Sequence, residues 1–97
     1  MRLTKYQIEL IKTLARKYFG RKAKVYLFGS RADDNKKGGD IDIYIETDVA
    51  KNVFDKKINM LIEMEKKLGQ RKIDIVVNNF SSNLSIYSVA KAEGILL

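Results

Sequence analysis

Asp40 and Asp42 stand two positions apart in Asp40-Ile41-Asp42-Ile43, and a third aspartate follows in Ile73-Asp74-Ile75-Val76-Val77. Aspartates at i and i+2 of a strand point to one side, roughly 6.5 to 7 Å apart, and can share a divalent cation. Adding Asp74 from a second strand makes an all-oxygen site suited to Mg²⁺ or Mn²⁺. Clustered carboxylates repel one another until a cation neutralises them, so two bound metals would give the cluster its reason to exist. Gly29-Ser30 offers the complementary half. Glycine clears the space a phosphate needs, the Ser30 hydroxyl and free backbone N–H groups donate to it, and a following helix end adds a favourable dipole. Arg31 adds a fixed positive charge at the same turn that can contact phosphate or, equally, pair at the surface with Asp33 or Asp34. Alone, Asp-x-Asp is more often a solvated polar face and Gly-Ser more often a turn. Only the combination with Asp74 points to a metal seat beside an anion seat.

The elements that must position these residues are legible in outline. Thr4 can cap a first helix carrying Ile8, Ile11, Leu14, Ala15 and Tyr18 at helical spacing, and Gly20 stops it. Lys24 to Phe28 is a short run of β-formers that ends abruptly at Gly29-Ser30. Asp33 to Gly39 is a polar loop. Asp40 to Glu46 alternates, with Ile41, Ile43 and Ile45 on one face and Asp40, Asp42, Tyr44 and Glu46 on the other. Tyr44 and Glu46 are far enough from Asp42 to expect structural roles. Thr47 or Asp48 can cap a helix to about Leu68, with a stripe of Val53, Phe54, Ile58, Leu61, Ile62 and Leu68, closed by Gly69. Lys72 to Asn78 alternates again, with Asp74 opposite Ile73, Ile75 and Val77. Ser81 or Ser82 would start a last helix ending at Gly94. Helices are expected on the isoleucine face, and the carboxylates converge on the other if the two strands are neighbours.

Composition removes most other chemistry. The 97 residues are 45% apolar and 32% charged, which predicts one domain over residues 1–97 with a small core. With no His and no Cys, the chain cannot form a Ser/His/Asp or Cys/His nucleophile, a Cys/His zinc site, a haem site or an iron–sulfur cluster. Carboxylates, hydroxyls, lysines and hard metals are what remain. No apolar run reaches membrane-spanning length and charges are scattered through the first 19 residues, so a cytoplasmic protein without a secretory leader is expected. The net charge of +7 favours an anionic partner without choosing among nucleic acid, nucleotide and acidic protein. Lys22, Lys24, Lys36 and Lys37 read as solvated charge, and direct nucleic-acid binding is not expected.

Phe28-Gly29-Ser30-Arg31-Ala32, then Asp40-Ile41-Asp42-Ile43, then Ile73-Asp74-Ile75-Val76-Val77 resemble the nucleotidyltransferase superfamily of DNA polymerase β, and within it the minimal nucleotidyltransferases. Nine residues separate Ser30 from Asp40, within the usual spacing. The chain departs from the pattern in having Asp33-Asp34 where a glycine is frequent and Gly39 where a serine often precedes the first Asp. The resemblance implies an α+β nucleotidyltransferase fold, a mixed β-sheet with helices packed on one face. It also implies transfer of AMP from ATP to an acceptor hydroxyl with release of pyrophosphate, a Mg²⁺-dependent reaction (two ions, Mn²⁺ as a substitute). Asp40, Asp42 and Asp74 would be the metal-binding and catalytic residues, and Gly29, Ser30 and Arg31 the nucleotide-binding ones.

About 20 residues follow Asn78, too few for an acceptor-binding domain, so a partner protein is expected. The resemblance implies a helical HEPN-type toxin whose tyrosine receives AMP, making this chain the antitoxin of a toxin–antitoxin pair acting by AMPylation. Two alternatives stand beside it: a scaffold that neutralises its partner by binding alone, and a basic nucleic-acid-binding domain, for which no recognition helix or aromatic platform is recognisable in the sequence.

Overall fold

Thr4 caps the first helix as its position before the apolar periodicity requires: its hydroxyl accepts from Gln7 N–H at 3.1 Å and its own N–H donates to Gln7 Oε1 at 2.9 Å. The computed structural model describes residues 3–29, 40–69 and 72–97. They form α1 (Lys5–Phe19), β1 (Lys24–Phe28), β2 (Ile41–Glu46), α2 (Val53–Leu68), β3 (Ile73–Asn78), α3 (Ser85–Glu93) and β4 (Ile95–Leu96). The fold is α+β, with one mixed sheet in the order β3-β2-β1-β4. β1 runs antiparallel to β2 and β4, and β2 runs parallel to β3. The helical connection between β2 and β3 is what permits that parallel pairing. Among the described residues no helix is long and apolar enough to cross a membrane.

The two alternating strands sort their residues as the pattern requires. Ile41, Ile43, Ile45, Ile73 and Ile75 are buried against Ile11, Leu14, Ala15 and Phe19 of α1 and Met60 and Met64 of α2. α1 and α2 are clasped at the surface by Glu63, which accepts from both Lys17 and Tyr18. α3 lies on the opposite face, where Ala90 and Tyr87 pack on Tyr26 and Tyr44. The helices therefore do not all share the isoleucine face. Tyr44, at 1% exposure, belongs to a second, aromatic core that the simple alternation of polar and apolar residues conceals.

Two helix starts and the buried stripe of α2 differ from the sequence reading, each for a local reason. Thr47 does not cap α2; it is buried, donates to Phe19 O at 2.7 Å and accepts from Val49 N–H at 3.1 Å, so its hydroxyl is committed to the connector. The N-cap is Asn52, in the left-handed region at φ 58°. The buried stripe of α2 centres on Met60 and Met64, a phase that turns Phe54 and Ile62 to solvent. Ser81 is likewise diverted, its N–H and hydroxyl both bonding to the Asn79 side chain, so α3 begins at Ser85.

β4 is reached without a loop because Gly94 carries no side chain. A Cβ there would lie 2.4 Å from Ala90 O and 3.2 Å from Tyr26 Cβ. Gly94→Ala should therefore lower unfolding free energy by about 1 to 3 kcal/mol, the usual cost of overpacking, measured by urea denaturation. An unchanged midpoint would show that α3 and β1 close less tightly than described.

Candidate active site

The parallel register of β2 and β3 sets Asp42 directly beside Asp74, with Ile41 beside Ile73 and Ile43 beside Ile75. On its other side Asp42 is opposite Phe28 of β1. Both carboxylates therefore emerge from the face opposite the main core, at the end of the sheet where β1 stops and β2 starts. Asp42 is half-buried, whereas Asp74 is exposed. Asp40 precedes β2, is exposed, and acts on Asp42 through its charge. Among the described residues, no group of three or more acidic side chains is gathered in an arrangement that could hold a metal ion. The structure thus brings Asp42 and Asp74 together and leaves Asp40 at the margin.

Gly29 explains itself against this pair. It adopts φ 75°, and a Cβ built on it would stand 2.3 Å from Asp42 Oδ2. The Asp42 carboxylate occupies the space that any other residue type would fill. Ser30 and Arg31 lie outside the described residues, as does the Asp33 to Gly39 loop. Asp42 and Asp74 line an open cleft of about 430 Å³ with Phe28, Val76, Ile86 of α3 and Lys57 of α2. Lys57 and Ile86 had no signal in the sequence, since helical spacing alone does not say which helix end borders an edge strand.

Burial pushes the Asp42 carboxyl above the usual carboxylate range, and the charges of Asp74 and Asp40 push it further; Asp74 is also close enough to share a proton with it, while Lys72 partly offsets the effect. Hard-oxygen donors on neighbouring strands, one of them strained as an anion, fit Mg²⁺ or Mn²⁺ in chemistry: a cation would relieve the repulsion the fold imposes.

Farther along the same face the polar residues are structural. Tyr44 donates to Glu46 Oε2 and accepts from Asn78 Nδ2, both at 3.0 Å, and Lys91 of α3 pairs with Glu46 at 3.3 Å. These bonds pin α3 over the tyrosines, leaving the aspartate end of the face open.

A family model described as "Nucleotidyltransferase domain" matches residues 8–97. The chain belongs to the nucleotidyltransferase domain family. No curated protein matches it. Membership makes nucleotidyl transfer the general chemistry, and the matched span of this nucleotidyltransferase domain includes Gly29, Asp40, Asp42 and Asp74.

Two outcomes follow from the geometry. Gly29→Ala should displace the Asp42 carboxylate and destabilise the domain by about 1 to 3 kcal/mol, through both the clash and the positive φ, as read by thermal and urea melts. The second concerns pH. Because the folded state holds a proton on Asp42 more readily than the unfolded chain does, metal-free stability should fall as pH rises from the ordinary carboxylate range through the raised folded value. Asp42→Asn should therefore melt higher than the parent at pH 7 without metal, with the gap closing towards about pH 4. A gap independent of pH would mean that Asp42 is not held against its charge.

Proposed function

We propose that this domain is a Mg²⁺-dependent nucleotidyltransferase that moves AMP from ATP to a hydroxyl of a partner protein, a tyrosine by resemblance, as the antitoxin of a HEPN-type toxin–antitoxin pair. The observation that carries the chemical part is the Asp42–Asp74 pair in register beside Gly29, at the open end of the sheet. A divalent cation held there, by Asp42 and Asp74 with Asp40 at hand, would neutralise triphosphate charge and lower the pKa of the acceptor hydroxyl.

Each residue has a separate task. Gly29 leaves room for Asp42; with Ser30 it would supply backbone and hydroxyl donors to phosphate oxygens, and Arg31, next in sequence, would add charge. Asp74, exposed and lining the cleft, would help hold the cation and take the proton from the acceptor hydroxyl. The acceptor oxygen forms its bond to the α-phosphorus as the bond to pyrophosphate breaks. Lys57 borders the cleft from α2, where a cation can meet the triphosphate or an acidic acceptor segment. The open cleft has the exposed Ile86 on one rim, an apolar contact open to a base or to an acceptor segment.

Incubated with ATP labelled at the α-phosphate and Mg²⁺, the protein with its helical partner should label that partner and release pyrophosphate, whereas γ-label should not transfer. Asp42→Asn and Asp74→Asn should each abolish labelling while remaining folded by circular dichroism. Mg²⁺ and ATP together should raise Tm more than either alone, by mass action. No shift at millimolar Mg²⁺ and ATP, with the partner still bound, would support neutralisation by binding alone. Label passing to a free alcohol with the partner untouched would retain the chemistry and reject the acceptor.

A further inference from the structure

Four cations from three consecutive parts of the chain border two adjoining cavities at the end of the sheet remote from Asp42. Lys12 and Arg16 lie one turn apart on α1, Lys22 is in the turn that follows, and Lys24 opens β1. Lys24 is a shared wall of two cavities. One, about 120 Å³, is bordered by Lys12, Arg16 and the terminal leucines; the other, about 250 Å³, is bordered by Lys22, Glu46, Thr47, Asp48 and Phe80. Among the described residues none of the four cations has an ion-pair partner, the two pairs there being Lys17–Glu63 and Lys91–Glu46. Glu46 is already paired with Lys91, and Asp48 borders the second cavity. Like charges at i and i+4 of a helix destabilise it, so Lys12 and Arg16 gain from an anion between them.

Phe80 gives the second, independent observation. It is 68% exposed and sits at φ 64°, a region a bulky residue rarely occupies. Its backbone is held there: its N–H donates to Asn78 Oδ1 at 2.8 Å, and Asn79 Nδ2 donates to Val49 O at 3.2 Å. Asn78 is buried and tied to Tyr44. The fold therefore fixes an aromatic ring in solvent at the cost of backbone strain, the reverse of what stability alone would select.

We propose that this face binds single-stranded nucleic acid, with phosphates over Lys12, Arg16, Lys22 and Lys24 and a base stacked on Phe80. A basic track beside a stacking ring is the arrangement that sequence-tolerant single-strand binding requires. The site lies four residues along β2 from Asp42, roughly 13 Å, so it is separate from the carboxylate pair. In the sequence Lys22 and Lys24 look like solvated charge; it is the docking of α1 and the loop after β3 that joins them to Lys12, Arg16 and Phe80.

The test is fluorescence anisotropy of a labelled single-stranded RNA oligonucleotide, in EDTA so that metal-dependent nucleotide binding at the aspartates does not contribute. Saturable binding is expected at about 50 mM salt, with log K falling against log salt at a slope of about −2 to −3, as three or four phosphate contacts require. Phe80→Ala should weaken binding about tenfold with the slope unchanged, and Phe80→Tyr should restore it. Lys12→Ala and Arg16→Ala should each flatten the slope by about 0.7. Absence of saturable binding, or affinity indifferent to Phe80→Ala, overturns the proposal. Competition by polyglutamate as effective as by unlabelled RNA would overturn it in favour of an acidic protein partner.

Discussion

The register between β2 and β3 is the constraint on which the remainder of this molecule depends. It opposes Asp42 and Asp74, two like charges, while on the other face it opposes Ile41 to Ile73 and Ile43 to Ile75. Like charges directly across a sheet are destabilising, so the pairing persists only because the alternative is worse. A slip of one residue would turn Asp42 into the layer formed by Phe19, Met60 and Met64 and put isoleucines in solvent. Burying an isoleucine is worth about 2 to 3 kcal/mol, and several are fully buried here, which exceeds the repulsion of a half-buried carboxylate pair. The core on one face thus enforces an electrostatically unfavourable arrangement on the other. A cation or a phosphate-bound metal is the natural relief of that arrangement.

The second face needs its own explanation, because a helix that covered all of it would close the cleft. α3 packs through Ala90 and Tyr87 against Tyr26 and Tyr44, and is fastened by Lys91 to Glu46, which is itself hydrogen-bonded to Tyr44. The ring contacts lie at the middle of β2 and the polar fastening at its Glu46 end. The helix is therefore anchored where the aspartates are not, and only Ile86 reaches their cleft. Gly94 completes the arrangement by letting the chain pass from α3 into β4 against Tyr26, which holds the helix close to β1.

How much of this can be read from residues alone depends on whether the cause is local or tertiary. The strict alternation in Asp40 to Glu46 and Lys72 to Asn78 identifies two strands and the face each aspartate takes, since side-chain direction has period 2 and the isoleucines name the buried side. Thr4 and Gly20 mark α1 because capping is decided within a few residues. Thr47 and Ser81 mislead for the complementary reason: their hydroxyls are free to cap a helix in isolation but are claimed by Phe19 O and Asn79 in the folded chain. Met60 and Met64 carry the core face of α2, and a reading weighted to branched and aromatic residues passes over them although methionine fills irregular space well. Tyr44 can be expected from its distance to Asp42 to be structural, but its burial depends on a third helix that covers it. The two-residue strand β4 has too little pattern to be seen at all. Lys57 belongs to the cleft only because β3 is at the edge of the sheet beside α2.

The opposition between the two ends of β2 follows from the same economy of a small domain. A chain of 97 residues has little interior, so each polar group on the second face is either satisfied within it or left to meet a ligand. At the Glu46 end the carboxylate receives a phenol and an ammonium and is structurally complete. At the Asp42 end burial and neighbouring acids raise the carboxyl pKa, with Lys72 only partly compensating. Two carboxylates four residues apart on one strand thus differ in what surrounds them, not in type: one is satisfied within the fold and the other is left with unbalanced charge. Repacking the Asp42 end to match the Glu46 end would make a more stable sheet. It would also remove the unbalanced charge that a bound cation would relieve with a gain in stability, and the isoleucine core is large enough to sustain that repulsion in its absence.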